Sequence, residues 1–186
     1  MALYPSVVPD LERFAPYYRA PMLMLGATGS ELPEFPTARA FFGRWVGGGY
    51  KDLDLDGGGL RLDLNKDLRV LSQGFQTVFN LGTLEHVWNA HNAWANALRA
   101  VTVGRYFLTH SPVYGYRDHG LHITSAPAIR AFIAKNGFAV LDEWTTRREV
   151  GKIYWLAAIK NRHIEHLEDF EPAWQVYEAG QKKTVS

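Results

Sequence analysis

Apolar positions along the chain recur with two periods, and segments of the two kinds alternate. "PMLML" (21–25) and "FQTVFNL" (75–81) are short apolar runs bounded by turn residues, the pattern of buried strands. "YKDLDL" (50–55) and "LRLDLN" (60–65) alternate apolar with polar residues as half-buried strands do, with Gly57, Gly58 and Gly59 between them. "RYFLTHSP", "AVLDEWTTRR" and "KIYWLAAIK" (152–160) supply three further strands. Helical spacing occupies the intervals. "TARAFFGRW" is one helix, following a loop over "GATGSELPEFP". "VWNAHNAWANALRAV" is a second, with Val87, Trp88, Trp94, Ala95, Leu98 and Val101 near one face and Gly104 as its stop. "SAPAIRAFIAKNGF" is a third, opened by Ser125, with Pro127 in its first turn and Gly137 at its end. A short first helix over "LERFAPYY" is expected to take Asp10 as its N-cap and to end or kink at Pro16.

Strands alternating with helices imply a mostly parallel sheet covered on both faces, a doubly wound α/β fold in three layers. With no internal repeat or Ser/Pro linker, residues 1–186 read as one domain. In such sheets a ligand binds outside the carboxyl ends of the strands, so each strand exit is a candidate site. At the first exit, "LGATGS", Gly26 and Gly29 would let backbone N–H groups approach a ligand without Cβ interference. At the second, "DLDLD", a carboxylate can accept from both hydroxyls of a ribose diol; Asp54 is preferred, with Asp52 and Asp56 competing because a one-residue slip reverses the faces. At the third, Asp63 and its neighbours could meet the edge of a base. At the fourth, Asn80, Leu81 and Gly82 would floor the ligand, with Glu85 and His86 at the mouth, close to the start of the following helix. The plainer alternative is that His86 caps that helix and Glu85 complements its positive end.

Composition narrows the chemistry. The net charge of +1 comes from interleaved Lys/Arg and Asp/Glu, which disfavours a nucleic-acid partner. The absence of cysteine removes disulfides, thiolate metal sites and a cysteine nucleophile. Neither a signal-like N-terminus nor an apolar run of membrane-spanning length is evident, and the expectation is a cytoplasmic protein without a membrane partner. "DHGLH" and "HIEH" each offer two close imidazoles, but a catalytic zinc site wants three protein ligands, so no metal is expected. The apolar residues Phe170, Trp174, Val176 and Tyr177 beyond the last strand would pack on the core or against a second copy in a homodimer.

"MLMLGATGS", "YKDLDLD", "LRLDLN", "FQTVFNLGTLEHV", "AVTVGRYFLTHSP" and "IAKNGF" follow one another in the order of a class I S-adenosylmethionine-dependent methyltransferase, and the chain resembles a small, type 11-like member over about residues 20–160, with 161–186 as an extension. The resemblance implies a Rossmann-like, seven-stranded sheet whose last strand is antiparallel, and S-adenosylmethionine as cofactor. It implies Gly26, Ala27 and Gly29 at the methionine moiety, Asp54 and Leu55 at the ribose, Asp63 and Leu64 at the adenine, and Asn80, Leu81 and Gly82 near the methyl group. The pattern departs at Met24 and Gln76, where acids are usual, and at Thr28, where many members carry glycine.

Methyl transfer needs alignment above all, and a base only if the acceptor arrives protonated. His86 and His119 are the candidate bases. Glu85, Tyr114, Tyr116, Arg117 and His122 are the candidate contacts to a small-molecule acceptor, with Asp118 able to orient His119. The expected activity is methyl transfer to an O or N atom, in a setting such as sugar or natural-product biosynthesis. The alternative is a non-catalytic relative with a degenerate cofactor site, and a dinucleotide oxidoreductase is disfavoured by the incomplete G-x-G-x-x-G pattern.

Overall fold

The computed structural model describes residues 2–26, 29–55, 59–116, 119–165 and 167. Within them the strands are β1 (Ala2–Leu3), β2 (Met22–Leu25), β3 (Gly29–Ser30), β4 (Tyr50–Asp54), β5 (Leu60–Arg61), β6 (Phe75–Leu81), β7 (Val101–Tyr114), β8 (Phe138–Arg148) and β9 (Gly151–Lys160). The α-helices are α1 (Val8–Arg13), α2 (Ala38–Val46), α3 (Ala90–Ala100) and α4 (Ala126–Lys135). Seven strands form one sheet in the order β5-β4-β2-β6-β7-β9-β8. The pairs from β5 to β7 are parallel, and β9 runs antiparallel to both its neighbours. β1 and β3 form a separate parallel pair, so the N-terminus lies along the segment leaving β2.

The sheet separates two cores. On one face α3 and α4 bring Trp94, Leu98, Ile129 and Phe132 onto Leu23, Val78, Phe107 and Leu156. On the other, α1 and α2 bring Leu11, Phe14, Phe41 and Phe42 onto Met22, Met24, Phe79 and Trp155. Alternate residues of β2 and β6 point into opposite cores, so these central strands read as continuous apolar runs. No helix among the described residues is long and apolar enough to cross a membrane.

Three sequence expectations change. Asp10 lies inside α1 rather than at its cap; its carboxylate accepts from Trp144 Nε1 at 2.8 Å, Thr146 Oγ1 at 3.1 Å and Arg148 Nη2 at 3.0 Å, tying α1 to β8. α3 begins at Ala90, with the Asn89 side chain accepting from the Asn92 N–H, so Val87 and Trp88 precede it and Trp88 is exposed. Gly104 is no helix stop: α3 ends at Ala100 and passes straight into β7, where Gly104 sits at φ 76°. The register against β6 jumps from Val101 to Tyr106 at that point, and the glycine serves a bulge.

The abrupt passage from α3 to β7 leaves helix-end carbonyls that need partners beyond the Gln73 N–H, which donates to Arg99 O at 2.9 Å. Lys160, buried at the end of β9, supplies them: its Nζ donates to Leu98 O at 3.0 Å, Arg99 O at 3.2 Å and Val101 O at 2.6 Å. Lys160→Met keeps the stem and removes the donor, and is expected to destabilise the chain by about 2–3 kcal/mol, read as a lower urea midpoint. An unchanged midpoint would mean that these carbonyls need no side-chain donor.

Candidate functional site at the carboxyl ends of the central strands

Two cavities open at this edge, one on each side of the turn that follows β6. The first, about 180 Å³, lies over β2, β4 and β5 and is lined by Gly26, Leu53, Asp54, Leu55, Leu62, Asp63, Leu64, Asn65, Thr83, His86 and Val87. The competition among the acids resolves here. Asp52 accepts from the Gly59 N–H at 2.5 Å and holds the β4–β5 connection, whereas Asp54 borders the cavity; Asp56 lies outside the described residues. Asp63 Oδ1 accepts from the backbone and side-chain amides of Asn65, bonds that lower its pKa.

The glycine exit differs from an open loop. The Gly26 N–H donates to Leu53 O at 2.7 Å, and a Cβ built there would collide with Thr83 Oγ1, which donates to Leu25 O at 2.7 Å. Gly26, at φ 80°, thus lets the β6 turn press against the end of β2. Gly29 belongs to the pair with β1 rather than to the cavity wall. Ala27 and Thr28 lie outside the described residues.

Asn80 organises the turn between the cavities. It is fully buried at the end of β6; its Oδ1 accepts from the N–H groups of Thr83 (3.0 Å) and Leu84 (3.1 Å), while its Nδ2 donates to Thr109 Oγ1 (2.9 Å) and Ser111 Oγ (3.3 Å). With both ends of the amide so engaged, Asn80 fixes the turn in place. Gly82, at φ 70°, donates to His110 O at 3.1 Å, and Leu84–His86 then form a single 3₁₀ turn. Glu85 and His86 therefore stand on a turn between strand and helix, and neither caps α3.

The second cavity, about 220 Å³, lies over β7 and β9 and is lined by Tyr4, Ser6, Val7, Leu81, Glu85, His110, Pro112, Tyr116, His119, Arg148 and Ile153. Its wall is largely apolar. Leu81 lines this cavity and not the first. Tyr116 borders it, with its ring 5.5 Å from that of His119. Tyr114 is exposed at the end of β7, and Arg117 and Asp118 lie outside the described residues. His122 lines a separate space of about 20 Å³ on the far side of Glu85.

The segment carrying His119 is clamped to the turn. Glu85 O accepts from the N–H groups of Leu121 at 2.6 Å and His122 at 3.1 Å. Gly120, at φ 77°, passes so close that an added Cβ would lie 2.9 Å from Glu85 O. This brings the His86 and His119 rings to 4.9 Å, with donor atoms of Glu85, His86 and His119 all within 4.8 Å of one another. His86 also borders the first cavity, so the cluster occupies the junction of the two. Sequence reasoning missed His110, Arg148 and the N-terminal residues that close the second cavity. The exit of "LTHSP" was the available signal for His110, since it is a strand exit like the others.

Burial sets the electrostatics. Both Glu85 carboxylate oxygens are buried with no hydrogen-bond partner among the described residues, and burial raises its pKa to about 7. Burial lowers His110 to about 3, and its Nδ1 has no partner among the described residues. Burial, then the neighbouring His119, lowers the pKa of His86. At neutral pH both His86 and His110 are uncharged.

No protein-family model matches the chain, and no curated protein matches it in sequence. Solved structures do match in fold. The Burkholderia thailandensis 1,6-didemethyltoxoflavin N1-methyltransferase, solved with its substrate and S-adenosylhomocysteine, aligns at a TM-score of 0.60 with 11% identity, over 85% of this chain and 78% of that one. The chain has the class I methyltransferase fold. An Aquifex aeolicus S-adenosylmethionine-dependent methyltransferase aligns at 0.56 with 13% identity, over 84% and 93%. The Synechocystis magnesium protoporphyrin IX methyltransferase, bound to S-adenosylhomocysteine, aligns at 0.51 with 14% identity, over 84% and 80%. The sheet order and the antiparallel β9 are those of this methyltransferase fold.

Glu85 gives the methyltransferase fold a pH signature. Its folded pKa lies above its usual 4.5, so the stabilisation is complete below about 4.5 and is lost as pH rises through about 7. The protein should lose up to about 3 kcal/mol over that window from this group. Glu85→Gln should remove the decline, visible as a flatter melting temperature against pH; the same decline in both proteins would mean that Glu85 is not the buried titrating group.

Proposed function

We propose that the chain is an S-adenosylmethionine-dependent methyltransferase acting on an O or N atom of a small-molecule acceptor. The observation that carries the reading is the pair of cavities on either side of the Glu85–His86–His119 cluster, with His86 lining the first and Glu85 and His119 the second; the first is chemically suited to an adenosine and the second to a compact acceptor. In the first, Asp54 and Asp63 offer carboxylates to the hydrogen-bond donors of a ribose diol and an adenine amino group, and Leu55, Leu62, Leu64 and Val87 offer apolar surface to the base. The comparison structures holding S-adenosylhomocysteine support the same choice of cofactor. When bound, S-adenosylmethionine supplies a methyl group made electrophilic by the adjacent sulfonium.

The chain's own work is to align the acceptor, exclude water and handle a proton. Leu81, Pro112, Tyr116 and Ile153 favour a largely apolar acceptor, closed over by Tyr4 and Val7 of the N-terminal segment. Neutral His86 is able to take a proton from a hydroxyl acceptor, with His119 as the alternative, a contribution typically worth about 10²–10⁴ in rate. Glu85 and Tyr116 hold the acceptor near that histidine.

The second reading, a non-catalytic relative, rests on Met24. It occupies the position of an expected acid and is fully buried in the α1–α2 core, so the cofactor cavity lacks that carboxylate. Calorimetric titration with S-adenosylhomocysteine separates the two. Binding that Asp54→Ala weakens by about 1–3 kcal/mol is expected; no binding by the wild-type chain would favour the non-catalytic reading, and an unchanged dissociation constant in the variant would remove Asp54 from the site.

A further inference from the structure

We propose that Glu85, His86 and His119 bind one divalent transition-metal ion at the junction of the two cavities, leaving a coordination position open toward the acceptor. The pairs "DHGLH" and "HIEH" each lack a third ligand along the sequence. The fold supplies it by another route: the post-β7 segment gives His119, and the β6 turn gives both Glu85 and His86. Two imidazoles and one carboxylate, with one position open, are the donor set of a catalytic metal site, and the imidazoles select zinc and its first-row neighbours over magnesium or calcium.

Glu85 provides the independent observation. The residue is 6% exposed, both carboxylate oxygens are buried and lack a hydrogen-bond partner among the described residues, and it borders the acceptor cavity beside His119. A buried carboxylate without a partner is costly, and a cation is the partner that would best offset the cost. The Glu85 and His119 backbones are fixed relative to each other by the bonds to Leu121 and His122 and by the close passage of Gly120, so two of the three ligands are preorganised. A tetrahedral ion with bonds of about 2.0–2.2 Å needs donor atoms about 3.4 Å apart. Rotation of the exposed His86 and of His119 about their side-chain bonds would close the present spread of up to 4.8 Å to that distance.

With His86 and His119 engaged as ligands, the ion rather than either imidazole would favour the deprotonated form of an acceptor oxygen, a role that rests on the methyltransferase reading; the ion's binding does not. The test is titration of chelator-treated protein with zinc chloride, followed by cobalt(II) as a spectroscopic probe. One equivalent should bind, and cobalt should give the intense visible bands of a site of low coordination number. Glu85→Gln, His86→Ala and His119→Ala should each weaken binding by at least about tenfold, whereas His163→Ala, in the other histidine pair, should not. Each variant's circular dichroism and urea midpoint check that the fold persists. Binding of less than one equivalent, or binding indifferent to all three substitutions in folded variants, would overturn the proposal. Zinc binding without S-adenosylhomocysteine binding would keep the metal site and remove the methyltransferase reading; the reverse would do the opposite.

Discussion

The fully buried amide of Asn80 is the constraint on which the site depends. A strand that stops in the middle of a parallel sheet must satisfy its last polar groups and turn the chain upward. Asn80 does both, accepting from the turn at Thr83 and Leu84 and donating across to Thr109 and Ser111 of β7. In a low-dielectric setting such a network is strong when complete and costly when broken. Because every hydrogen-bonding end of the amide is engaged, the direction of the 3₁₀ turn is fixed, and with it the wall between the two cavities.

From that turn the rest of the site follows by contact. Thr83 reaches back to Leu25 and presses on Gly26, closing the exit of β2; Glu85 O reaches forward to Leu121 and His122, drawing His119 against His86. The N-terminal segment completes the enclosure, since β1 pairs with β3 and leaves Tyr4, Ser6 and Val7 over the second cavity. Asp10, on the helix that follows, anchors Arg148 at the rim. The result is a junction where a buried acid, two imidazoles and an apolar chamber meet.

The architecture was legible where local signals and tertiary needs agree. "FQTVFNL" became β6 over the same residues because an apolar run bounded by Gly74 and Gly82 has little choice beside a buried sheet, and Ser125 capped α4 through its bond to the Ala128 N–H. The failures lie where tertiary pairing overrides a local signal. Gly104 resembles a helix stop, yet β7 runs through it, paired with β6 at Val101 before it and from Tyr106 after it. The Glu85–His86 pair resembles a helix start, yet Asn80 closes the turn early and the helix waits for Asn89. The three-donor cluster was invisible for a different reason. Spacing along the chain reveals ligands on one element, while this cluster unites a turn and a distant loop through backbone bonds that no side-chain pattern announces.

The most direct test of this account is a crystal structure of the chain grown with S-adenosylhomocysteine. The account predicts the adenosine between the Asp54 and Asp63 carboxylates and the leucines of the first cavity, with the sulfur end directed to His86 and the second cavity beyond it. Ligand bound elsewhere, or an arrangement in which Asp54 faces solvent and His86 is remote from the sulfur, would contradict it.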